Sequence, residues 1–538
     1  MWYLLNANTT FAYTHADTLR GSNGRGRDWW DVQKYDLNIS FDTVAQTIQG
    51  YNNIYFLVTS TPCDSMQIDL QDPMVLDMAL LLDNYHNADT VKIALAKEGN
   101  VWWLKWPFSK LLRGNIYEIA LSYHGSPRKA INPPWDGGFS WTHDGDGKLW
   151  IAVSCQGLGA SVWWPCKDAQ WDEPDRGMDI SLVVPGLNAV SNGRLLRELR
   201  ANDIPYYSDW QVKNPINNYD VTFYIGDYVN WHDTLMGENG QLDLDFWALR
   251  ENEQKARKQF AIVKEMLHCY EYWLGPYPFY DDGYKLVEAP YLGMEHQSAI
   301  AYGNHYQMGY LGYDRSNTGY GMKFDYIIVH ESGHEWFGNN ITAKDIADNW
   351  IHEGLTTFSE SLFAECIMGK EKAQKYCRGE WHNIQNNRPI IGDYGVNNEG
   401  SGDMYDKGAA IIYMIRIMAN DDEKFRMMLR GLNKEFYHQV VSTKQVEDYI
   451  SNHTGLDLRA FFIQYLRTTN IPELEYSITD NNMSYRFNNV VEGFTLPITI
   501  SWGNKTIVIN PASGWQSIKW KGGYNVKFSD DFLITVKK

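Results

Sequence analysis

His330-Glu331-Ser332-Gly333-His334, followed by Glu353 in Trp350-Ile351-His352-Glu353-Gly354, decides how this chain reads. Phe324, Ile327 and Ile328 recur at helical spacing, and Gly338-Asn339-Asn340 supplies a stop, so the spacing predicts a helix over 323–337. Histidines at i and i+4 lie one turn apart on one face of such a helix. Two imidazoles so placed can reach one ion, and zinc takes nitrogen ligands of this kind. Glu331 falls on the flank of that face, where it can hold a metal-bound water. Zinc in a catalytic site needs a third protein ligand and an open fourth position. Glu353 is the candidate, at the start of a second helix in which Leu355, Phe358 and Leu362 keep helical spacing. The pattern also arises by chance in long chains, and a glutamate near a helix start is also an ordinary charge favoured by the helix dipole. The rest of the sequence has to decide between these readings.

The chain has 538 residues, of which 44% are hydrophobic, too many for a single core, so about two to four domains are expected. With 22 Trp and 35 Tyr it is too aromatic for disorder. A net charge of −18 argues against a nucleic-acid partner, since it repels a phosphate backbone. No apolar run is long enough to span a membrane as a helix. Cys63, Cys155, Cys166, Cys269, Cys366 and Cys377 form no CxxC pair, which suggests buried or free thiols, with Cys366 and Cys377 as the one candidate pair. Met1-Trp2-Tyr3-Leu4-Leu5 lacks the basic start and apolar length of a secretory signal, which leaves a cytoplasmic protein or a removed leader. Triplets such as Asn38-Ile39-Ser40 are common by chance and settle nothing about glycosylation.

From about residue 31 to 248 the pattern is strand-like. Tyr35–Phe41, Asn53–Val58 and Ile116–Leu121 alternate or run apolar between Gly, Asp and Pro breaks, predicting a large antiparallel β domain over 1–248. Asp144-Gly145-Asp146-Gly147 resembles the start of a calcium loop but lacks the later ligands, so a turn between two strands is expected. Helical periodicity begins near Glu251–Tyr272, where Ala256, Phe260, Val263 and Leu267 share a face, and Gly275-Pro276-Tyr277-Pro278-Phe279 breaks it. A mixed α/β domain is expected over 249–472, with Ser442 and Gln445 as a capping box late in it. From 473 to 538, Leu496–Ile500, Thr506–Ile509 and Phe532–Val536 return to strand character, and a small β-sandwich is expected.

Eighteen residues separate His334 from Glu353. With His334-Glu335-Trp336-Phe337-Gly338-Asn339-Asn340-Ile341-Thr342, the chain resembles the zinc aminopeptidase family of aminopeptidase N and leukotriene hydrolase. Trp164-Pro165-Cys166-Lys167-Asp168, the Gly275–Phe279 turn, Met294-Glu295 and Tyr405-Asp406-Lys407-Gly408-Ala409 follow in the family's order, so the resemblance covers most of the chain. It implies an N-terminal β saddle domain, a thermolysin-like catalytic domain and a C-terminal β-sandwich, without the large helical domain that many relatives carry. It also implies one zinc ion held by His330, His334 and Glu353, with Glu331 as general base and Tyr405 hydrogen-bonding the developing oxyanion. Glu295 would grip the free α-amino group and Gln156 would be a second amine-binding residue. Backbone around Gly293 and Met294 would line the substrate strand. Tyr291 falls where the family places a wall of the first side-chain pocket and hints at an apolar or mid-sized pocket.

The family's Gly-x-Met-Glu-Asn motif reads Leu292-Gly293-Met294-Glu295-His296 here, and Glu335 replaces the usual glutamine. These departures bear on the local backbone path and on substrate preference. The implied activity is removal of the first residue of peptides with a free N-terminus. The alternatives are an endopeptidase or epoxide hydrolase on the same metal, or a non-catalytic peptide-binding relative. A monomer is expected by default. Relatives of this build tilt the expected compartment towards the periplasm or the exterior.

Overall fold

The computed structural model describes residues 12–83, 89–202, 204–479, 481–521 and 525–538. The reading of Met1–Leu5 lies outside them. Strand Trp30–Asp42 buries Tyr35, Leu37, Ile39 and Phe41 and leaves the residues between them half-exposed, the period-two pattern of a sheet packed on one face. It pairs antiparallel with Thr47–Val58 and parallel with Met178–Val183, so the expected antiparallel domain contains one parallel pair. Ten strands form this sheet, and a second sheet of four strands faces it. Between them lies an aromatic core in which Trp163, Trp164, Phe139 and Phe223 meet edge to face. Asp144–Gly147 makes the turn expected of it, between strands Gly138–His143 and Leu149–Ser154, with Lys148 N–H donating to Asp144 Oδ1 at 2.8 Å.

The next sheet positions the cleft. It orders Tyr228–Gly237, Gly240–Leu249, Tyr284–Glu288, Ile300–Tyr302 and Gly293–Met294, with the last at an edge. The boundary expected at 248 therefore cuts through a strand. The hairpin 228–249 alternates as the earlier strands do, which hid its different partners. Its strands Tyr284–Glu288, Ile300–Tyr302 and Gly293–Met294 are buried on both faces, while Tyr228–Gly237 is largely exposed. Leu244, Phe246, Leu286 and Ile300 join the helical core, while Trp247, Val287, Ala301 and Met294 join the N-terminal core. That double burial explains why Leu286-Val287 runs apolar instead of alternating.

Ten helices are described: α1 His15–Gly21, α2 Glu253–Gln259, α3 Val263–Leu274, α4 Tyr326–Gly333, α5 Trp350–Met368, α6 Lys370–Glu380, α7 Asp406–Ala419, α8 Asp422–Glu435, α9 Thr443–Thr454 and α10 Arg459–Arg467. Gln445 Oε1 accepts from the Ser442 N–H at 3.0 Å, as the expected capping box requires. α4 is shorter than the predicted 323–337. Asp325 caps it, accepting from the N–H groups of Ile327 at 3.1 Å and Ile328 at 3.4 Å, so Phe324 stays extended. Past Gly333 the chain tightens into i→i+3 turns, with Trp336 N–H donating to the Gly333 carbonyl.

The C-terminal strands form sheets of four and three, and their core residues Leu474, Phe487, Leu496 and Ile500 are continuous with the helical core. The suggested Cys366–Cys377 pair is not formed. Cys366, near the end of α5, is bonded to Cys269 on α3, while Cys377 is a free thiol buried on the inner side of α6. The bond joins residues 97 apart in sequence and ties α3 to the helix that carries Glu353. Spacing alone could not reveal a partner on a helix so distant in sequence.

Candidate active site

α4 and α5 cross with their buried polar residues facing each other. Gly333 permits the approach, since a Cβ there would stand 2.6 Å from Ser359 Oγ. The result brings His330, His334 and Glu353 together. The two Nε2 atoms are 3.3 Å apart, and Glu353 Oε2 lies 3.2 Å from His334 Nε2 and 3.6 Å from His330 Nε2. Four tetrahedral ligands at the zinc distance of about 2.0–2.1 Å are separated by about 3.3–3.4 Å. The three atoms thus fit one ion. Glu353 Oε2 is buried without a hydrogen-bond donor, as a ligand atom awaiting a cation would be.

Both imidazoles are turned with Nδ1 outward. His330 Nδ1–H donates to Glu360 Oε1 at 2.7 Å, and His334 Nδ1–H donates to the Phe337 carbonyl at 2.9 Å. These bonds leave the Nε2 lone pairs free to bind metal. Tyr376 OH donates to Glu360 Oε2 at 2.6 Å and fixes the carboxylate in turn. Glu360 went unnoticed in the sequence, although it follows Glu353 by seven residues and so shares its helix face.

Glu331, Glu295 and His334 form a second convergent group beside the first. Burial raises Glu331 to about 7, with the two histidines opposing and the Glu295 and Glu353 carboxylates reinforcing. Burial raises Glu295 as well, with His334 opposing and Glu353 adding to it. For His334, burial pulls the pKa down, but the Glu353 and Glu295 carboxylates outweigh it and hold it at about 9. Carboxylates crowded in this way demand positive charge, and a cation at the triad would supply it.

Glu295 directly follows the edge strand Gly293–Met294. A side chain at Gly293 would meet Glu331 Oε1 at 2.6 Å, so glycine lets the strand pass close to Glu331 and keeps its backbone open to the cleft. Gln156 Nε2 donates to Glu295 Oε1 at 2.6 Å and lies 3.4 Å from Glu353 Oε1. Tyr219 OH donates to the same Glu295 oxygen at 3.1 Å. Nothing in Asn217-Asn218-Tyr219-Asp220 marks Tyr219 in the sequence, because it arrives through the docking of the two domains. The Tyr405 ring stacks on His330 with centroids 6.0 Å apart, and burial followed by the Glu353 carboxylate raises its hydroxyl well above the usual range.

Tyr291 does not line the cleft, contrary to expectation. It is buried in the N-terminal core and its OH donates to the Val153 carbonyl at 2.8 Å. Its neighbours Leu292, Gly293 and Met294 line the cleft instead, together with Trp135, Tyr310 and Arg315, which the sequence did not single out. The departures at His296 and Glu335 are accommodated by new partners. Tyr224 OH donates to the Ala299 carbonyl at 2.7 Å, so His296 Nδ1–H donates to Tyr224 at 2.8 Å. Glu335 accepts from the Ser298 N–H at 2.9 Å and from Tyr277 OH at 2.7 Å. Both hold the turn that carries Glu295.

Residues 259–465 match the profile of the peptidase family M1 domain. The chain is 22% identical to mouse endoplasmic reticulum aminopeptidase 1 over 344 residues, covering 61% of this chain and 36% of that protein. It is 22% identical to Xenopus laevis leukotriene A-4 hydrolase over 450 residues, 79% of this chain and 68% of the relative. Against Arabidopsis thaliana aminopeptidase M1 it is 22% identical over 542 residues, 93% of this chain and 58% of the relative. The chain thus spans only about a third to two thirds of the length of these relatives. An M1 zinc metallopeptidase from Deinococcus radiodurans, solved as a glutamate-to-alanine mutant bound to a Tyr-Ser-Ala substrate, superposes with a TM-score of 0.66 at 19% identity. That likeness covers 83% of this chain and 96% of the other, and at this identity it is a likeness of fold.

Proposed function

We propose that this chain, a member of peptidase family M1 through its residues 259–465, is a zinc-dependent aminopeptidase that removes the first residue of peptides. The observation that carries the proposal is the meeting of two groups in one cleft. His330, His334 and Glu353 converge as a metal triad, and beside them the Glu295 carboxylate, held by Gln156 and Tyr219, is suited to an ammonium group. Zinc, when bound, polarises a carbonyl and lowers the pKa of water towards about 7.

The remaining work falls to the chain's own side chains. Glu331 takes a proton from the attacking water and returns it to the leaving amine, a role suited to a buried carboxylate beside the metal triad. Tyr405 donates a hydrogen bond to the carbonyl oxygen as negative charge builds there. Glu295 and the Gln156 amide oxygen hold the substrate ammonium by charge-assisted hydrogen bonds, with Tyr219 keeping Glu295 in place. The backbone of Gly293–Met294 lies at the sheet edge, where an extended peptide can add as a further strand. That anchor sets the cut one residue from the N-terminus. The site is complete within one chain, which supports action as a monomer on peptides with a free N-terminus. We place the start of the catalytic domain at Tyr228, where its sheet begins.

The test is a panel of aminoacyl-coumarin substrates, free and N-acetylated, assayed with and without a chelator. Hydrolysis of free substrates alone, lost on chelation and restored by zinc, is expected. Equal cleavage of free and acetylated substrates, or turnover indifferent to the chelator, overturns the proposal.

A further inference from the structure

α1 buries none of its residues, yet it is fastened on two sides. On the N-terminal domain, Arg20 Nη1 donates to Asp168 Oδ2 at 2.8 Å, and Gln67 Nε2 donates to the Leu19 carbonyl at 3.1 Å. On the catalytic domain it meets the loop 384–401, which leads into Tyr405. Tyr13 OH donates to the Asp393 carboxylate and accepts from Asn398 Nδ2 at 2.6 Å. A Cβ on Gly21 would fall 2.3–2.7 Å from the Val396 backbone, so the two segments touch with no room for a side chain. The loop is pinned from beneath as well, with Gly395 N–H donating to Asp345 Oδ2 at 2.8 Å and Tyr394 OH to Asp348 Oδ1 at 2.7 Å.

These contacts border an open-sided cavity of about 320 Å³. It shares Gln156, Gly157 and Glu399 with the metal cleft, and Tyr219 lines it, so it opens where the substrate ammonium would be held. A second cavity of about 420 Å³ lies against His15, Ala16, Asp17, Leu19 and Arg20. α1 is therefore a thin wall between two spaces and not a packed core element. The first cavity mixes polar groups with apolar ones such as Trp171 and Val396. Asn217 and Asn349 are buried in its wall, and Lys344, Arg388 and Glu399 are exposed along it.

We propose that residues 13–22 clip the two domains together across the amine-anchoring end of the cleft, forming one wall of a chamber, open on one side and carrying several amide and charged groups, that takes a long, polar first side chain. This rests on the aminopeptidase reading. An aliphatic side chain in such a chamber would strip water from the polar groups without replacing it, whereas an arginine or glutamine side chain would restore hydrogen bonds. Tyr13 and Gly21 act as positioning residues, because they hold loop 384–401 and not the substrate.

The test compares wild type, Tyr13→Phe and Gly21→Val on arginyl-, glutaminyl-, leucyl- and alanyl-coumarin. Wild type should prefer arginyl and glutaminyl over leucyl substrates. Tyr13→Phe should lower kcat/KM for the two long polar substrates about fivefold through KM, the scale of losing its two exposed hydrogen bonds to Asp393 and Asn398, and move the alanyl substrate by less than about twofold. Gly21→Val should deepen the same pattern to about tenfold, and thermal melts with the alanyl rate will show that both variants are folded. A wild-type preference for leucyl substrate, or a Tyr13→Phe loss of equal size on all four substrates, overturns the clip. If wild type cleaves none of the four, the aminopeptidase reading itself falls, a separate result from a uniform response to the variants.

Discussion

The metal end of the cleft comes from two neighbouring helices, whereas the amine end comes from segments far apart in the chain. His330 lies in α4 and His334 at its C-terminal cap, and Glu353 and Glu360 share α5. Gln156, Tyr219, Glu295 and Glu399 belong to separate loops of two domains and meet only when those domains dock. The first end is specified by helical geometry and local hydrogen bonds. The second inherits its geometry from the packing of the five-stranded sheet between two cores. Damage at the metal end should therefore stop the chemistry for every substrate, and damage at the amine end should change which substrates are chosen.

The largest expected effect lies at the metal end. Glu331→Gln should retain zinc and lose about a thousandfold in kcat, equally on every free aminoacyl substrate. Metal analysis beside kinetics checks this, and a loss confined to some first residues would blur the division between the two ends. Tyr405→Phe should lower kcat about a hundredfold with little change in KM, because its hydrogen bond strengthens only as charge develops. Glu360→Gln leaves substrate contacts intact but weakens the hold on His330 Nδ1. Zinc affinity should fall about tenfold to a hundredfold in a competition with a chelating dye. An unchanged zinc affinity would mean that Glu360 does not orient the ligand.

The smallest effect concerns pH and the start of α4. Burial raises Asp325 to about 6, against the donors Gln259, Tyr302 and Asn304. Between pH about 4 and 6 the unfolded chain releases this proton while the folded chain keeps it, so the folded state loses stability as pH rises through that window. Asp325→Asn has no such titration. The stability of wild type relative to this variant should fall by roughly 2–3 kcal/mol across the window, read from denaturant unfolding at pH 4 and pH 7. A gap that does not move with pH would place the proton elsewhere.

The same division explains how much the sequence revealed. The metal triad was legible because i, i+4 spacing on a helix fixes which side chains share a face, and the next helix lies close by in the chain. Glu360 is legible by the same rule, two turns after Glu353 on the same helix. Tyr219, Trp135 and the α1 contacts were not legible, since they depend on how domains pack and no local periodicity records that. Tyr291 misled for a related reason. Its place in the motif points to the cleft, but it sits in the bend before the edge strand with its ring packed in the N-terminal core, and the segment 292–294 lines the cleft. The hairpin 228–249 carried the right strand pattern, but its partner sheet could not be read from alternation alone.

The most direct measurement is the ratio of kcat/KM for a free and an N-acetylated peptide of the same sequence, in wild type and in Glu295→Ala. Wild type should favour the free peptide by about a hundredfold or more, and Glu295→Ala should collapse that ratio towards one while zinc content stays unchanged. A ratio near one in wild type, or a ratio untouched by Glu295→Ala, would contradict an amine anchor beside the metal.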